Sequence, residues 1–268
     1  MSLLTATGLT KVYPVGRRRL GRERRFVRAV DGVDLALEAG ETLSLVGESG
    51  AGKSTVGRLL LRLIEPDSGT ITFAGSDVSK LRPAEMRSMR RKLQMIFQDP
   101  YSSLDPRARI VDSVAEPLWI HDRATRRDRQ RQAMVLLERV GISAAMAGRY
   151  PRELSGGQLQ RAAIARALTL RPEVIVCDEP VAALDVSVRA QVLNLMRDLQ
   201  IERGLSYLFI SHDLSLVEVI SDRVAVMSAG RIVELDAAER LFREPQHDYT
   251  RQLLAAVPNL VPRALRRG

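Results

Sequence analysis

Leu43-Ser-Leu-Val46-Gly47-Glu48-Ser49-Gly50-Ala51-Gly52-Lys53-Ser54 is the stretch on which the fold turns. An apolar run gives way to a glycine-rich turn, and the pattern from Ser54 to Ile64 is helical, so the segment reads strand, loop, helix. Gly47 to Ser54 fits G-x-x-x-x-G-K-[ST] in the context where that spacing has a mechanism. Glycines let backbone amides turn inward around phosphate oxygens, the Lys53 ammonium reaches the outer phosphates, and the Ser54 hydroxyl is suited to ligate Mg²⁺. With Thr55, this loop is the expected cradle of a nucleoside triphosphate.

Outward from it, Val33 to Leu37 alternates like a strand, and Gly69 to Gly75 reads as an antiparallel piece bounded by glycine at both ends. From about Asp77 to Leu170 the sequence turns Arg-rich and helix-favouring, punctuated by Pro100, Pro106, Pro117 and Pro151, as an inserted helical lobe would be. Val174 to Cys177 and Leu205 to Ile210 are apolar runs on either side of the helical stretch Val188 to Glu202, the β-α-β pattern of a parallel sheet. Asp178 and Glu179 follow the first of these runs, which puts two carboxylates at the edge where open α/β sheets bind ligands. Asp178 is the expected Mg²⁺ holder, and Glu179 is placed to polarise the water that attacks the γ-phosphate. Arg223 to Glu234 reads as two strands around a turn at Gly230, and the remainder as a helix and a loose basic tail.

Composition sets the class. Of 268 residues, 45% are hydrophobic and 27% charged, near the globular norm, and no run of about 18 apolar residues suggests a membrane span. The first residues lack a basic region followed by an apolar block, so neither secretion nor membrane insertion is expected. A single cysteine, Cys177, excludes an intrachain disulfide or a Cys-ligated cluster, which suits a reducing compartment. The net charge of +9 rests almost wholly on arginine, since Lys11, Lys53, Lys80 and Lys92 are the only lysines among 41 basic residues. Arg17 to Arg28 concentrates that charge. A solvated loop between the first two strands is the favoured reading over contact with anionic lipid or nucleic acid, and no specific nucleic-acid partner is expected.

Leu154-Ser-Gly-Gly-Gln158, running into the helix-favouring Leu159 to Leu168, resembles the signature sequence of ABC-type ATPases. Its small residues put backbone amides at a helix N-terminus, a second anion site in one chain. The resemblance implies an α/β P-loop NTPase cassette with a RecA-like parallel sheet core, an antiparallel β subdomain and an inserted α-helical subdomain. It implies a catalytic lobe at 1–97 and 171–240, a signature lobe at 98–170 and an extension at 241–268. It also implies a head-to-tail pair of cassettes, with ATP held between Lys53 of one and Ser155, Gly156, Gly157 and Gln158 of the other. By the same resemblance Gln98 joins the two lobes and senses Mg²⁺ and the attacking water, and His212 contacts the γ-phosphate. Asp185, in Ala183-Leu-Asp185, crosses the dimer interface, and Tyr13 stacks on adenine. Ala182 stands where the family usually has Ser, a hydroxyl contact worth about 1 kcal/mol.

Flanking segments are similar to one branch, the ATPases of oligopeptide and dipeptide importers: Gln98-Asp-Pro-Tyr-Ser-Ser-Leu-Asp-Pro106, Glu179-Pro-Val-Ala-Ala-Leu-Asp-Val-Ser187, and Pro245-Gln-His-Asp-Tyr-Thr250 with Leu253 to Pro258. Asp248 replaces the usual Pro of the last. The branch implies a motor subunit at the cytoplasmic face of the membrane, working with a second, related cassette, two permease subunits and an external binding protein. A permease helix is expected to dock on Gln98 to His121, including Trp119. The alternative is a soluble ABC-type ATPase of a nucleic-acid or phosphonate-degrading complex. It shares the catalysis, but the absence of a zinc site, a coiled-coil insertion and a second cassette argues against the nucleic-acid types.

Overall fold

The computed structural model describes residues 2–15, 25–122, 124–182 and 184–257. In chain order, three strands open the chain: β1 (Ser2–Val15), β2 (Arg25–Glu38) and β3 (Thr42–Val46), then helix α1 (Lys53–Leu60). Next come β4 (Ser68–Phe73), β5 (Ser76–Asp77), α2 (Pro83–Met89), β6 (Leu93–Ile96), α3 (Ile110–His121), α4 (Arg126–Arg139), α5 (Ala144–Ala147) and α6 (Gly156–Leu168). The last part holds β7 (Val174–Asp178), α7 (Val186–Arg203), β8 (Ser206–Ile210), α8 (Leu214–Ile220), β9 (Arg223–Ser228), β10 (Arg231–Ala237), α9 (Ala238–Arg243) and α10 (Asp248–Ala255). The chain forms two compact units, Met1–Leu81 with Leu208–Gly268, and Arg82–Tyr207.

In the first unit β1, β2, β4 and β5 make an antiparallel sheet in the order β2-β1-β4-β5, while the other strands run β10-β9-β3-β8. Every residue of β3 is buried, as a strand covered on both faces must be, and it pairs in parallel with β9 from Leu43 opposite Arg223 to Val46 opposite Val226. Between β9 and β10, Ser228 lies opposite Arg231, leaving Ala229 and Gly230 as a two-residue turn. Both have positive φ, the geometry that matches the twist of a tight hairpin. Val46, Leu214, Val217, Val224, Val226, Ala238 and Leu241 form a buried core, against which Tyr249, Leu253 and Leu254 of α10 pack.

In the second unit α3, α4 and α6 pack on one another, with Ile110, Val114, Leu137, Leu159 and Ile164 buried. α6 also meets β6 and α7. β6 pairs in parallel with β7, Leu93 opposite Val174 and Ile96 opposite Cys177. Guanidinium groups of Arg87 and Arg91 donate to the carbonyls of Ile120 and His121, satisfying the C-terminal end of α3.

Several expectations need correction. β6 lies inside the stretch read as helical, because four residues after the Arg90-Arg91-Lys92 run carry too little pattern to show a strand whose partner is β7. β2 begins at Arg25, so Arg28 is strand and the proposed Arg17 to Arg28 loop is shorter; positions 16–24 lie outside the described residues. α1 ends at Leu60, not Ile64, since Arg62 adopts a left-handed backbone and sends its guanidinium to the carbonyls of Val78 and Leu81. The described residues after β10 form two helices, and the basic tail from 258 onward lies outside the described residues.

Candidate nucleotide site

The phosphate loop belongs to the first unit. Lys53 opens α1, is only 6% exposed, and its ammonium donates to the carbonyls of Gly47 and Glu48 at 2.7 and 2.8 Å. Those two carbonyls aim the ammonium along the inside of the loop that precedes it. No side chain caps α1: its N-cap is Gly52, in a left-handed conformation. A helix start that no side chain caps is a place that suits an anion.

The glycines have a further reason that sequence does not show. A Cβ on Gly47 would lie 2.1 Å from the Met227 carbonyl oxygen, and one on Gly52 would lie 2.0 Å from that of Ala29. Both are backbone collisions, so these two glycines let the loop seat against neighbouring strands as well as turn its amides inward. Gly50, with φ +83°, faces open space.

His212 follows β8 and is exposed, just before α8, whose N-cap Asp213 accepts the Leu216 amide at 3.2 Å. Tyr13 stands in β1, 38% exposed, with the Lys11 ammonium 5.8 Å from its ring centroid. One contact was not foreseen. The Glu48 amide donates to Tyr249 Oη at 3.1 Å, joining the loop to α10. The motif around Tyr249 was visible in the sequence, but nothing in it signalled a partner 201 positions away.

In the second unit β7 delivers Asp178, 3% exposed, at its end, and then Glu179, whose φ of +49° is left-handed. Such a backbone on a non-glycine residue costs about 1–3 kcal/mol and tends to persist where a side chain must be aimed. Here the Glu179 carboxylate accepts from Gln98 Nε2 at 2.9 Å. Cys177 beside them is fully buried, and burial, then the Asp178 charge, pushes its thiol up, so it stays protonated and takes no part.

The signature segment forms the N-terminus of α6. Ser155 Oγ accepts from the Gln158 amide at 3.4 Å, and Gln158 Oε1 accepts from the Ser155 amide at 2.9 Å, a reciprocal capping box. The Gln158 amide and carbonyl oxygen are therefore engaged within the helix start, leaving Ser155 and Gly156 as its exposed tip. Asp185 caps α7, accepting from the Val188 amide at 3.0 Å and from Ser187 Oγ at 2.8 Å. These bonds, the Val188 amide first, hold its carboxyl below the usual range. Ala182 is exposed, and Ala183 lies outside the described residues.

Among the described residues no cluster of three or more His, Cys, Asp or Glu could cage a metal. A hydroxyl, as on Ser54, and a carboxylate, as on Asp178, are each ligand types that Mg²⁺ accepts without such a cluster. Among the described residues no helix is long and apolar enough to cross a membrane.

Comparison with known proteins places this arrangement. A sequence profile described as ABC transporter covers residues 30–182, more than half of the chain. The chain is 53% identical over 257 residues to the probable peptide ABC transporter ATP-binding protein y4tS of Sinorhizobium fredii, covering 96% of this chain and 73% of that protein. It is 53% identical over 260 residues to the glutathione import ATP-binding protein GsiA of Escherichia coli, covering 97% of this chain but 42% of GsiA, so it spans less than half of that relative. Among solved structures, the ATP-binding cassette MJ0796, a dimer in a post-hydrolysis state bound to ADP and Pi, superposes with a TM-score of 0.78 at 28% identity, over 88% of this chain and 98% of that one. CbiO1 of Clostridium perfringens, part of the ABC transporter complex cbiONQ, gives 0.76 at 25% identity over 91% of each. The expected cassette fold is borne out, and likeness of this extent makes the chain a member of the ABC transporter family.

Proposed function

We propose that the chain is the ATP-hydrolysing subunit of an importer whose cargo is peptidic, with oligopeptides and dipeptides the leading class. The observation that carries the catalytic part is the buried Lys53 ammonium, aimed by the Gly47 and Glu48 carbonyls at the start of a helix that no side chain caps. The cargo rests on likeness to y4tS, a probable peptide transporter ATP-binding protein, and to GsiA, a glutathione import protein; glutathione is itself a short peptide.

In this reading Gly47 to Thr55 wrap the triphosphate, Lys53 meets its outer phosphates, and Tyr13 stacks on the base. Ser54 and Asp178, with Gln98, would hold Mg²⁺, which would draw charge off the phosphate oxygens. Glu179 orients and polarises the attacking water, and His212 contacts the γ-phosphate. Ser155, Gly156, Gly157, Gln158 and Asp185 serve a partner cassette across a head-to-tail dimer. Nucleotide then favours the closed pair through contacts that product loses. The dimeric MJ0796 cassette supports that pairing.

Attachment to the membrane is peripheral, through permease subunits. Trp119, 65% exposed, and Ile120 lie at the end of α3, where Arg87 and Arg91 fasten the helix terminus, a firm apolar edge suited to a permease helix. Cargo selection belongs to those subunits and to an external binding protein.

The test of the catalytic reading is nucleotide binding by purified wild type and Lys53→Ala. Wild type binds MgATP, and the variant loses about tenfold or more in affinity, the worth of a charge-assisted contact. Equal affinity in the two would overturn it. For cargo, ATP turnover by the reconstituted transporter should rise with peptide-loaded binding protein.

A further inference from the structure

Pro245 to Thr250 is marked out in the sequence, yet nucleotide chemistry leaves it without a role. We infer that Tyr249 is a positioning residue for nucleotide binding, setting the orientation of the first peptide of the phosphate loop through its phenol oxygen. The inference rests on the reading of Gly47 to Ser54 as a triphosphate cradle.

The geometry concerns a single peptide bond. The carbonyl of Gly47 and the amide of Glu48 are its two polar ends. The carbonyl accepts from Lys53 Nζ at 2.7 Å, and the amide donates to Tyr249 Oη at 3.1 Å. Both ends of one plane are thus held by side chains, and a rotation that breaks one contact breaks the other. Gly47, with φ +147°, has no side chain of its own to resist such a rotation. Tyr249 therefore determines where the Gly47 carbonyl points, and that carbonyl determines where the Lys53 ammonium points.

Tyr249 is itself fixed from several directions. Its ring packs on the core that contains Val46, the residue before Gly47, and Leu214 and Val217 of the helix after His212. Its amide donates to His247 Nδ1 at 3.1 Å, the cap of α10. The amides of Gln246 and His247 donate to the Glu234 carboxylate of β10 at 2.7 and 3.0 Å. A rigidly seated acceptor lowers the ordering that a ligand must otherwise impose on the loop.

Tyr249→Phe keeps the ring and removes the acceptor. The expected result is a dissociation constant for MgATP raised about threefold to tenfold, the scale of one net hydrogen bond. The melting temperature of the nucleotide-free protein falls by no more than a few degrees, and kcat at saturating ATP stays at the wild-type value, so the loss appears in KM. A melting temperature that falls while the dissociation constant stays put would assign Tyr249 to packing alone and overturn the inference. So would wild-type affinity with wild-type stability. Lys53→Ala runs alongside: if wild type itself fails to bind ATP, the cradle reading falls and takes this inference with it, whereas binding by wild type with no change in Tyr249→Phe defeats the inference alone.

Discussion

Gln98 and Glu179 are hydrogen-bonded to each other, Nε2 to Oε2 at 2.9 Å. Strand register explains how. Ile96 of β6 lies opposite Cys177 of β7, and each candidate follows its strand's partner by two residues, so the two side chains leave the paired strands level. The left-handed backbone at Glu179 then sets the direction of the carboxylate.

Two substitutions separate the roles of this pair. Glu179→Gln should remove turnover by about 10²–10⁴-fold, the usual worth of a positioned base, while ATP still binds and the closed dimer accumulates. Gln98→Ala should lower kcat by roughly tenfold and MgATP affinity by less than that, since it loses an orienting donor and one neutral Mg²⁺ contact but no charge. Phosphate release and gel filtration with ATP read both. Normal turnover in Glu179→Gln would remove Glu179 from the mechanism.

The strand-loop-helix around Gly47 was legible because burial and phosphate chemistry act there on neighbouring residues. β7 and β8 were legible for a related reason, each being a short apolar run covered on both faces. What the sequence hid depends on partners far along the chain. Leu93-Gln-Met-Ile96 is a strand because β7 lies beside it, and Arg62 ends α1 by reaching Val78 and Leu81. The close seating of Gly47 and Gly52 involves Met227 and Ala29, and the loop's bond to Tyr249 joins positions 201 residues apart. Asp248, read as a departure from Pro, turns out to be the first residue of α10, where Pro's fixed φ and Asp's negative charge are alternative ways to favour a helix start.

Gly157 carries a packing prediction. A Cβ there would sit 2.4 Å from Val188 Cγ1, and a β-branched valine has little rotamer freedom with which to yield. Gly157→Ala should destabilise the fold by about 1–3 kcal/mol, the range for overpacking. Adding Val188→Ala should recover part of that loss, because it removes the colliding methyl. Thermal melts of the two single variants and the double variant measure the coupling, and strictly additive losses would count against the contact.

Glu234 links β10 to the start of α10 and makes stability depend on pH. Burial pushes its carboxyl up, but the Gln246 amide and its other hydrogen-bond partners outweigh this and hold it below the ordinary value. The folded protein therefore binds this proton less readily than the unfolded chain does. Its contribution is complete above the ordinary carboxylate range and disappears as pH falls through the lowered folded value. Glu234→Gln offers one acceptor in place of two and should lower stability at about pH 7 by roughly 0.5–1 kcal/mol, a figure discounted for the solvent around the carboxylate. As pH falls from the ordinary carboxylate range through the lowered folded value, the gap between the two proteins should narrow. Urea melts across that range decide the matter: a gap that is constant with pH would mean that the charge of Glu234 does not hold α10 in place.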